Sequence, residues 1–191
     1  MRSPVPAPLV VVMGVTGCGK STVGQLLADR LGVPFVEGDA LHPPENVERM
    51  ARGIALTDDD RRGWLQALAQ RIDAACHQQH QPHRQGLVVS CSALKRAYRD
   101  VLRSASPNLA FVYLHGSQTL IAERLAARVG HYMPASLLPS QFQILEVPAP
   151  DEQALTLDVS LPPHTLAEQA AAWLQTQNAR HDIPLTTSTK A

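Results

Sequence analysis

Gly14-Val15-Thr16-Gly17-Cys18-Gly19-Lys20-Ser21 follows the apolar run Leu9-Val10-Val11-Val12-Met13 and opens into a segment of helical periodicity. A strand, a glycine loop ending in Lys-Ser and a helix form the context of a phosphate-binding P-loop. Glycines at 14, 17 and 19 let the backbone curl so that its N–H groups point inward at phosphate oxygens. The helix that follows adds the partial positive charge of its N-terminus at the same spot. Lys20 then reaches the β- and γ-phosphates, and the Ser21 hydroxyl is the ligand for Mg²⁺. The pattern in this context points to a bound nucleoside triphosphate rather than to a glycine-rich turn that binds nothing.

The 191 residues are 45% hydrophobic and 18% charged, which suits one globular domain and is short for two. That domain is expected over 9–178, between a flexible arm (1–8) and a tail (179–191) without periodicity that reads as disordered. Lys plus Arg and Asp plus Glu both number 17, so no basic footprint for nucleic acid or an anionic membrane is expected. No apolar run approaches the roughly 20 residues of a membrane span. The first eight residues lack the pattern of a signal peptide. Cys18, Cys76 and Cys91 form an odd set without metal-ligand spacing and read as reduced thiols of a cytoplasmic protein. Cys18 reads as a small filler within the phosphate loop.

Apolar, β-rich runs alternate with amphipathic stretches along the chain. Strands are expected at 9–13, 34–37, 87–90, 109–115 and 154–160, and helices at 20–31, 44–52, 59–80, 94–105, 118–128, 136–146 and 165–177. This alternation predicts an α/β fold with a parallel sheet covered by helices on both faces. Ligands in such folds bind beyond the carboxyl ends of the strands, which directs the search to the segments that follow them. The polar stretch 77–85 carries His77, His80 and His83 and reads as a solvated helix end and loop, although a metal site is conceivable.

Glu37-Gly38-Asp39 closes the second strand. One carboxylate there can hold the Mg²⁺ hydration shell while the other orients or deprotonates an attacking hydroxyl. The alternative is an Asx-type turn leading into a helix with Pro44 near its first position. Ser92-Ala93-Leu94-Lys95 follows the third strand. Lys95 in the first helical turn would oppose the helix dipole, which suggests an anionic acceptor nearby, unless it is simply solvated. Ser92 reads as that helix's cap. Arg124 and Arg128 are one helical turn apart and run into Gly130. They suit a lid over about 124–138 that neutralises phosphate charge, or alternatively a solvent-facing pair at a helix C-terminus.

Several further segments occur together in order: Glu37-Gly38-Asp39-Ala40-Leu41-His42-Pro43, Asn46 to Met50 with Gly53, Leu56-Thr57-Asp58-Asp59-Asp60-Arg61 with Trp64-Leu65, Cys91-Ser92-Ala93-Leu94-Lys95 with Tyr98-Arg99-Asp100, and Leu138 with Ser140-Gln141-Phe142. With the phosphate loop and the 124–131 segment, they resemble the bacterial-type gluconate kinases across roughly 9–160. These are P-loop small-molecule kinases of adenylate- and shikimate-kinase-like architecture. The resemblance implies a three-layer fold with a five-stranded parallel sheet and a lid, and transfer of the ATP γ-phosphoryl group to the 6-hydroxyl of D-gluconate. It also implies a homodimer. It puts residues 14–22, ending at Thr22, around the ATP phosphates, Asp39 at the acceptor hydroxyl, and Arg124 and Arg128 in the lid. Arg61 matches an arginine that holds the substrate carboxylate in the related shikimate kinases. Arg61 and Lys95 are thus expected on gluconate's carboxylate and hydroxyls, with His42 and Gln141 as further candidates. An arginine fork suits a carboxylate as a lysine does not.

Two positions depart from the family pattern. Glu37 stands where many relatives carry Asp. Gly63 precedes Trp64 where proline is usual, which is expected to loosen a helix start. Trp64 itself reads as a core residue that anchors its helix. Two rival readings are another small-molecule kinase, for shikimate or a nucleoside monophosphate, and a nucleotide-binding switch without transfer. Shikimate is disfavoured because Ser92-Ala93-Leu94-Lys95 replaces a glycine-rich turn. A switch has no need of Asp39, Arg61 and Lys95 around an acceptor pocket.

Overall fold

In the computed structural model, five short apolar runs pair in parallel into a single sheet of order β2-β3-β1-β4-β5. The structure describes residues 7–78, 86–127 and 135–181. In chain order the elements are β1 (Leu9–Met13), α1 (Lys20–Leu31), β2 (Phe35–Glu37), α2 (Pro44–Ala51), α3 (Asp58–Gln78) and β3 (Leu87–Cys91). Then follow α4 (Arg96–Arg103), β4 (Ala110–His115), α5 (Gln118–Ala126), α6 (Leu138–Ile144), β5 (Ala154–Asp158) and α7 (Pro163–His181). Short 3-10 turns occupy Gly38–Leu41 and Ala135–Leu137.

The period of two in the strands divides the interior into two layers. Val10 and Val12 of β1 join Val88, Ala110 and Val112 on the face covered by α1, α5 and α7. Leu9, Val11 and Met13 join Val89, Cys91, Phe111 and Tyr113 on the face covered by α3 and α4. Both faces of β1 are therefore buried, which explains why it reads as a continuous apolar run instead of an alternating one. Each such fully buried aliphatic side chain contributes about 1.5–3 kcal/mol. The register sets Met13 beside Cys91 and Tyr113, so β1 and β3 finish together while β4 runs two residues further to His115. The phosphate loop leaves from that edge.

Local chemistry sets the helix ends that matter for the site. Thr57 caps α3: its hydroxyl accepts the Asp60 N–H at 3.2 Å, and the Asp60 carboxylate takes the Thr57 N–H at 2.8 Å. The three aspartates of that first turn also complement the helix dipole. Gly63 falls in the second turn of α3, not at its start, and a Cβ there would meet open space. α4 begins at Arg96, two residues later than expected, because Ala93 turns the chain with φ 42° and the Glu146 carboxylate accepts the Arg96 N–H at 2.6 Å. Lys95 is consequently the N-cap residue, and Ser92 lies upstream and does not cap the helix. The final helix continues to His181, beyond the expected end at 177. Arg128, His80, His83, Gly130, most of the expected lid and the end of the tail lie outside the described residues.

Candidate active site

The phosphate loop bends through left-handed backbone, and Gly19 (φ 98°) is the cap of α1, a conformation that L side chains adopt at a cost. At Gly17 (φ 79°) a Cβ would also sit 2.5 Å from Leu125 of α5, so the loop packs directly on that helix. Val15 and Cys18 are buried in the core, leaving only their backbone groups to face a ligand. Burial raises the Cys18 thiol pKa, in keeping with a filler. Lys20 is buried and folds back, donating to the Val15 carbonyl at 3.0 Å. Thr16, Gly17, Gly19, Lys20, Ser21 and Thr22 line a cavity of about 320 Å³ with Asp39, Arg124, Leu125 and Pro163. Arg124 donates to the Val159 carbonyl at 2.7 Å, which ties α5 to the end of β5.

A second pocket opens against the first. Its polar lining is Thr16, Lys20, Asp39, His42, Arg61, Ser92, Ser140 and Gln141, and its apolar lining is Met50, Ala55, Leu56 and Leu137. Thr16, Lys20 and Asp39 line both spaces. Asp39 therefore sits where the two meet.

The position of Asp39 is set through Gly38, whose N–H and carbonyl are both held. Gly38 gives its N–H to the Ser90 hydroxyl at 3.0 Å, and its carbonyl accepts the indole N–H of Trp64 at 2.8 Å. The Ser90 hydroxyl in turn donates to Glu37. Glu37 is thus tied to the neighbouring strand and lines neither cavity. Trp64 is the expected core residue, and it also fastens the turn that carries Asp39. His42 stacks on its ring at 4.1 Å between centroids and 15° between planes. Burial, followed by the charge of Arg61, lowers the His42 pKa from 6.5 to about 4, so the imidazole is neutral at pH 7.

Arg61 is only 6% exposed, and its Nε has no hydrogen-bond partner among the described residues. Its guanidinium lies 5.7 Å from the centre of the Tyr98 ring. A buried guanidinium nitrogen left unpaired is costly, so the fold holds Arg61 there, lining the pocket, at the expense of stability. Gln141 accepts the Thr16 N–H at 2.7 Å through its Oε1, bridging α6 to the phosphate loop. Lys95 is placed differently from the expectation. Its ammonium sits on the Asp58 carboxylate at 2.8 and 2.9 Å, with the Tyr98 hydroxyl donating to the same group, and it lines neither cavity. Asp58 is held below the usual carboxylate range by the hydrogen bonds from Lys95, first, and Tyr98.

Sequence reading passed over Ser90, Ser92 as a lining residue, and the hold of Trp64 on Gly38. Ser90 did carry a signal, as the polar residue in Leu87-Val88-Val89-Ser90-Cys91 where every position is buried. Among the described residues no group of three or more His, Cys, Asp or Glu side chains is arranged to hold a metal. The Ser21 hydroxyl, exposed in the phosphate cavity, fits Mg²⁺, which takes few protein ligands and completes its shell with phosphates and water.

Sheet order, phosphate loop and paired cavities define a P-loop small-molecule kinase, and the shikimate kinase family model matches residues 16–137. The chain is 45% identical over 172 residues to a gluconokinase of Gluconobacter oxydans (strain 621H), covering 88% of this chain and 92% of that protein. It is 46% identical to the thermoresistant gluconokinase of Escherichia coli (strain K12), covering 81% and 86% respectively. The crystal structure of a gluconokinase from Sinorhizobium meliloti 1021 superposes with a TM-score of 0.81 at 47% identity, covering 92% of this chain and 95% of that one. Shikimate kinase from Aquifex aeolicus, at 16% identity and a TM-score of 0.56, shares the fold alone. The chain belongs to the gluconokinase family. It is a kinase with the three-layer α/β fold expected from its sequence. No helix among the described residues is long and apolar enough to cross a membrane.

Proposed function

We propose that the protein transfers the γ-phosphoryl group of ATP to the 6-hydroxyl of D-gluconate, giving 6-phospho-D-gluconate and ADP. The observation that carries this reading is the shared wall: Thr16, Lys20 and Asp39 line both the phosphate cavity and the pocket beside it. A donor in one and an acceptor in the other would meet at those residues. Membership of the gluconokinase family supports the choice of acceptor.

The roles follow from side-chain chemistry. Backbone N–H groups of the 14–22 segment other than those of Gly14, Thr16 and Cys18, which donate within the protein, cradle the phosphates, and Lys20 leaves the Val15 carbonyl to neutralise the transferring group. Mg²⁺ held through Ser21 would supply charge neutralisation on the β- and γ-oxygens. Asp39 orients the acceptor hydroxyl. As the new O–P bond forms and the bond to the ADP oxygen breaks, the hydroxyl proton passes to Asp39 or to solvent. Arg61, which lines the acceptor pocket, takes the gluconate carboxylate through its guanidinium. Neutral His42, Ser92 and Gln141 face the hydroxyl chain. Arg124, which lines the phosphate cavity from α5, would act on the phosphates there, and the resemblance assigns Arg128 the same task in the lid. Lys95 serves this reading indirectly, through Asp58 at the start of α3. A homodimer, resting on the family resemblance, and a cytoplasmic location, resting on the cysteines read as reduced thiols, belong to the same reading.

A coupled assay for ADP release against gluconate, other six-carbon sugar acids and shikimate tests the proposal. Gluconate-dependent ADP release with 6-phosphogluconate as product is the expected result. Turnover of shikimate in preference, or ADP release indifferent to every acceptor, would overturn it.

A further inference from the structure

Tyr98-Arg99-Asp100 belongs to α4, yet Arg99 is fully buried (0% exposed) and lines neither cavity. Its Nε and Nη2 donate to the two oxygens of Glu152 at 2.6 and 2.8 Å, and Glu152 is itself 1% exposed. Glu152 also accepts the Ala149 N–H at 2.9 Å and the Arg103 guanidinium at 3.0 Å. That carboxylate therefore stays ionised, its pKa held near 2 chiefly by the Arg99 hydrogen bonds.

The remaining arm of Arg99 points back along the chain. Nη1 donates to the carbonyls of Ala93 at 3.1 Å, Leu94 at 3.3 Å and Glu146 at 2.9 Å. Ala93 is the left-handed residue of that turn, at φ 42°. A non-glycine residue persists there only where its surroundings over-determine it. The residue before it, Ser92, lines the acceptor pocket and accepts the Gly14 N–H at 3.3 Å through its carbonyl. Three links thus connect a buried ion pair to the first glycine of the phosphate loop.

We propose that Arg99, locked by Glu152, is a positioning residue that holds the 92–94 turn, and with it the Ser92 wall of the acceptor pocket, in the shape gluconate needs, the Gly14 amide reporting on that turn. Stability alone is a poor account of the pair, because apolar residues of similar volume commonly serve a core as well as a buried ion pair does. An apolar pair would not gather three carbonyls. The fork of a guanidinium does so while keeping two nitrogens on one carboxylate, a geometry that lysine cannot copy.

The inference rests on the acceptor reading above, and its test separates the two. Arg99→Lys and Glu152→Gln are compared with the wild type in the full chain by steady-state kinetics, ATP titration and thermal unfolding. Hydrogen exchange at the Gly14 amide is followed alongside. Arg99→Lys is expected to lower kcat/KM for gluconate by about tenfold or more while ATP affinity stays within about twofold, since displacing a pocket wall by an ångström is enough for such a loss. Glu152→Gln, which keeps the carbonyl contacts but weakens the lock, should show a smaller loss in the same direction. Faster Gly14 exchange should accompany both. The proposal is overturned if Arg99→Lys lowers only the melting temperature and leaves the gluconate constants within about twofold. It is equally overturned if gluconate and ATP affinities fall in parallel. Should Arg99→Lys not fold, unchanged gluconate constants in folded Glu152→Gln overturn it. A wild type without gluconate turnover would sink the acceptor reading instead, and the exchange data then decide the positioning role.

Discussion

The two cavities that meet at Asp39 recognise their ligands by different means. The phosphate cavity is lined mainly by one segment, residues 16–17 and 19–22, with Asp39 and additions from α5 and the start of α7. Beside Lys20 and Arg124, its donors include backbone N–H groups whose direction depends chiefly on the glycine conformations at 14, 17 and 19. The acceptor pocket draws on the 3-10 turn after β2, on α2 and α3, on the turn after β3 and on α6. Its polar groups are side chains, several of them buried, and each needs a partner elsewhere to hold it. Trp64 supports both His42 and Gly38, Ser90 supports Gly38, and Arg99 supports the turn bearing Ser92. A phosphate site can thus be local, whereas a site for a polyhydroxy acid has to be assembled.

The largest expected effect lies where the two meet. Asp39→Asn should lower kcat by about a hundredfold or more while ATP binding changes little, the size expected for a group that acts on the acceptor proton. Near wild-type turnover would remove Asp39 from the chemistry. Arg61→Ala comes next: the loss of charge-assisted hydrogen bonds should raise the gluconate KM by about ten- to a hundredfold and leave ATP affinity unmoved. If ATP affinity falls in step, the two cavities are not separable and the comparison fails.

A smaller effect concerns acid. His42 binds a proton less readily in the folded protein than in the unfolded chain. Between pH 6.5 and about 4 the unfolded chain therefore takes up more protons, and stability declines as pH falls through that window. Glu152 adds its own loss lower down, as pH drops from the ordinary carboxylate range toward about 2. Urea midpoints measured from pH 7 to pH 4.5 should fall, and His42→Phe should flatten that slope. An unchanged slope would mean that His42 is protonated in the fold. Smallest of all, Gly63→Ala on the exposed side of α3 should raise stability by about 0.5–1 kcal/mol, because a Cβ there meets open space and the helix loses a flexible residue. Kinetic constants should not move; if they do, α3 transmits strain to Arg61.

Several strand and helix positions were legible in the sequence to within one or two residues. β1 and α1 fall where the pattern predicts, because strand periodicity, glycine conformation and the Lys-Ser signature are all local properties. The departures occur where a distant group takes over. Glu146 supplies the acceptor for the Arg96 N–H, so α4 starts late and Lys95 faces Asp58 instead of the pocket. Arg61 is the opposite case. Its position in Asp58-Asp59-Asp60-Arg61 reads as ordinary helix surface unless the resemblance is invoked, and only the packing of Tyr98 and the pocket walls makes it a buried, under-satisfied cation.

By itself, the sequence determined that this chain folds around a parallel sheet and presents backbone donors to a polyphosphate. Those properties depend on residue periodicity and on glycines within eight positions of one another. Only the tertiary structure decided which side chains form the acceptor wall and that Asp39 belongs to both cavities. It also revealed that a buried Arg99–Glu152 pair stands behind the turn at Ser92. Burial, unpaired nitrogens and shared cavity walls arise when segments far apart in the chain are brought together, and no local pattern records that approach.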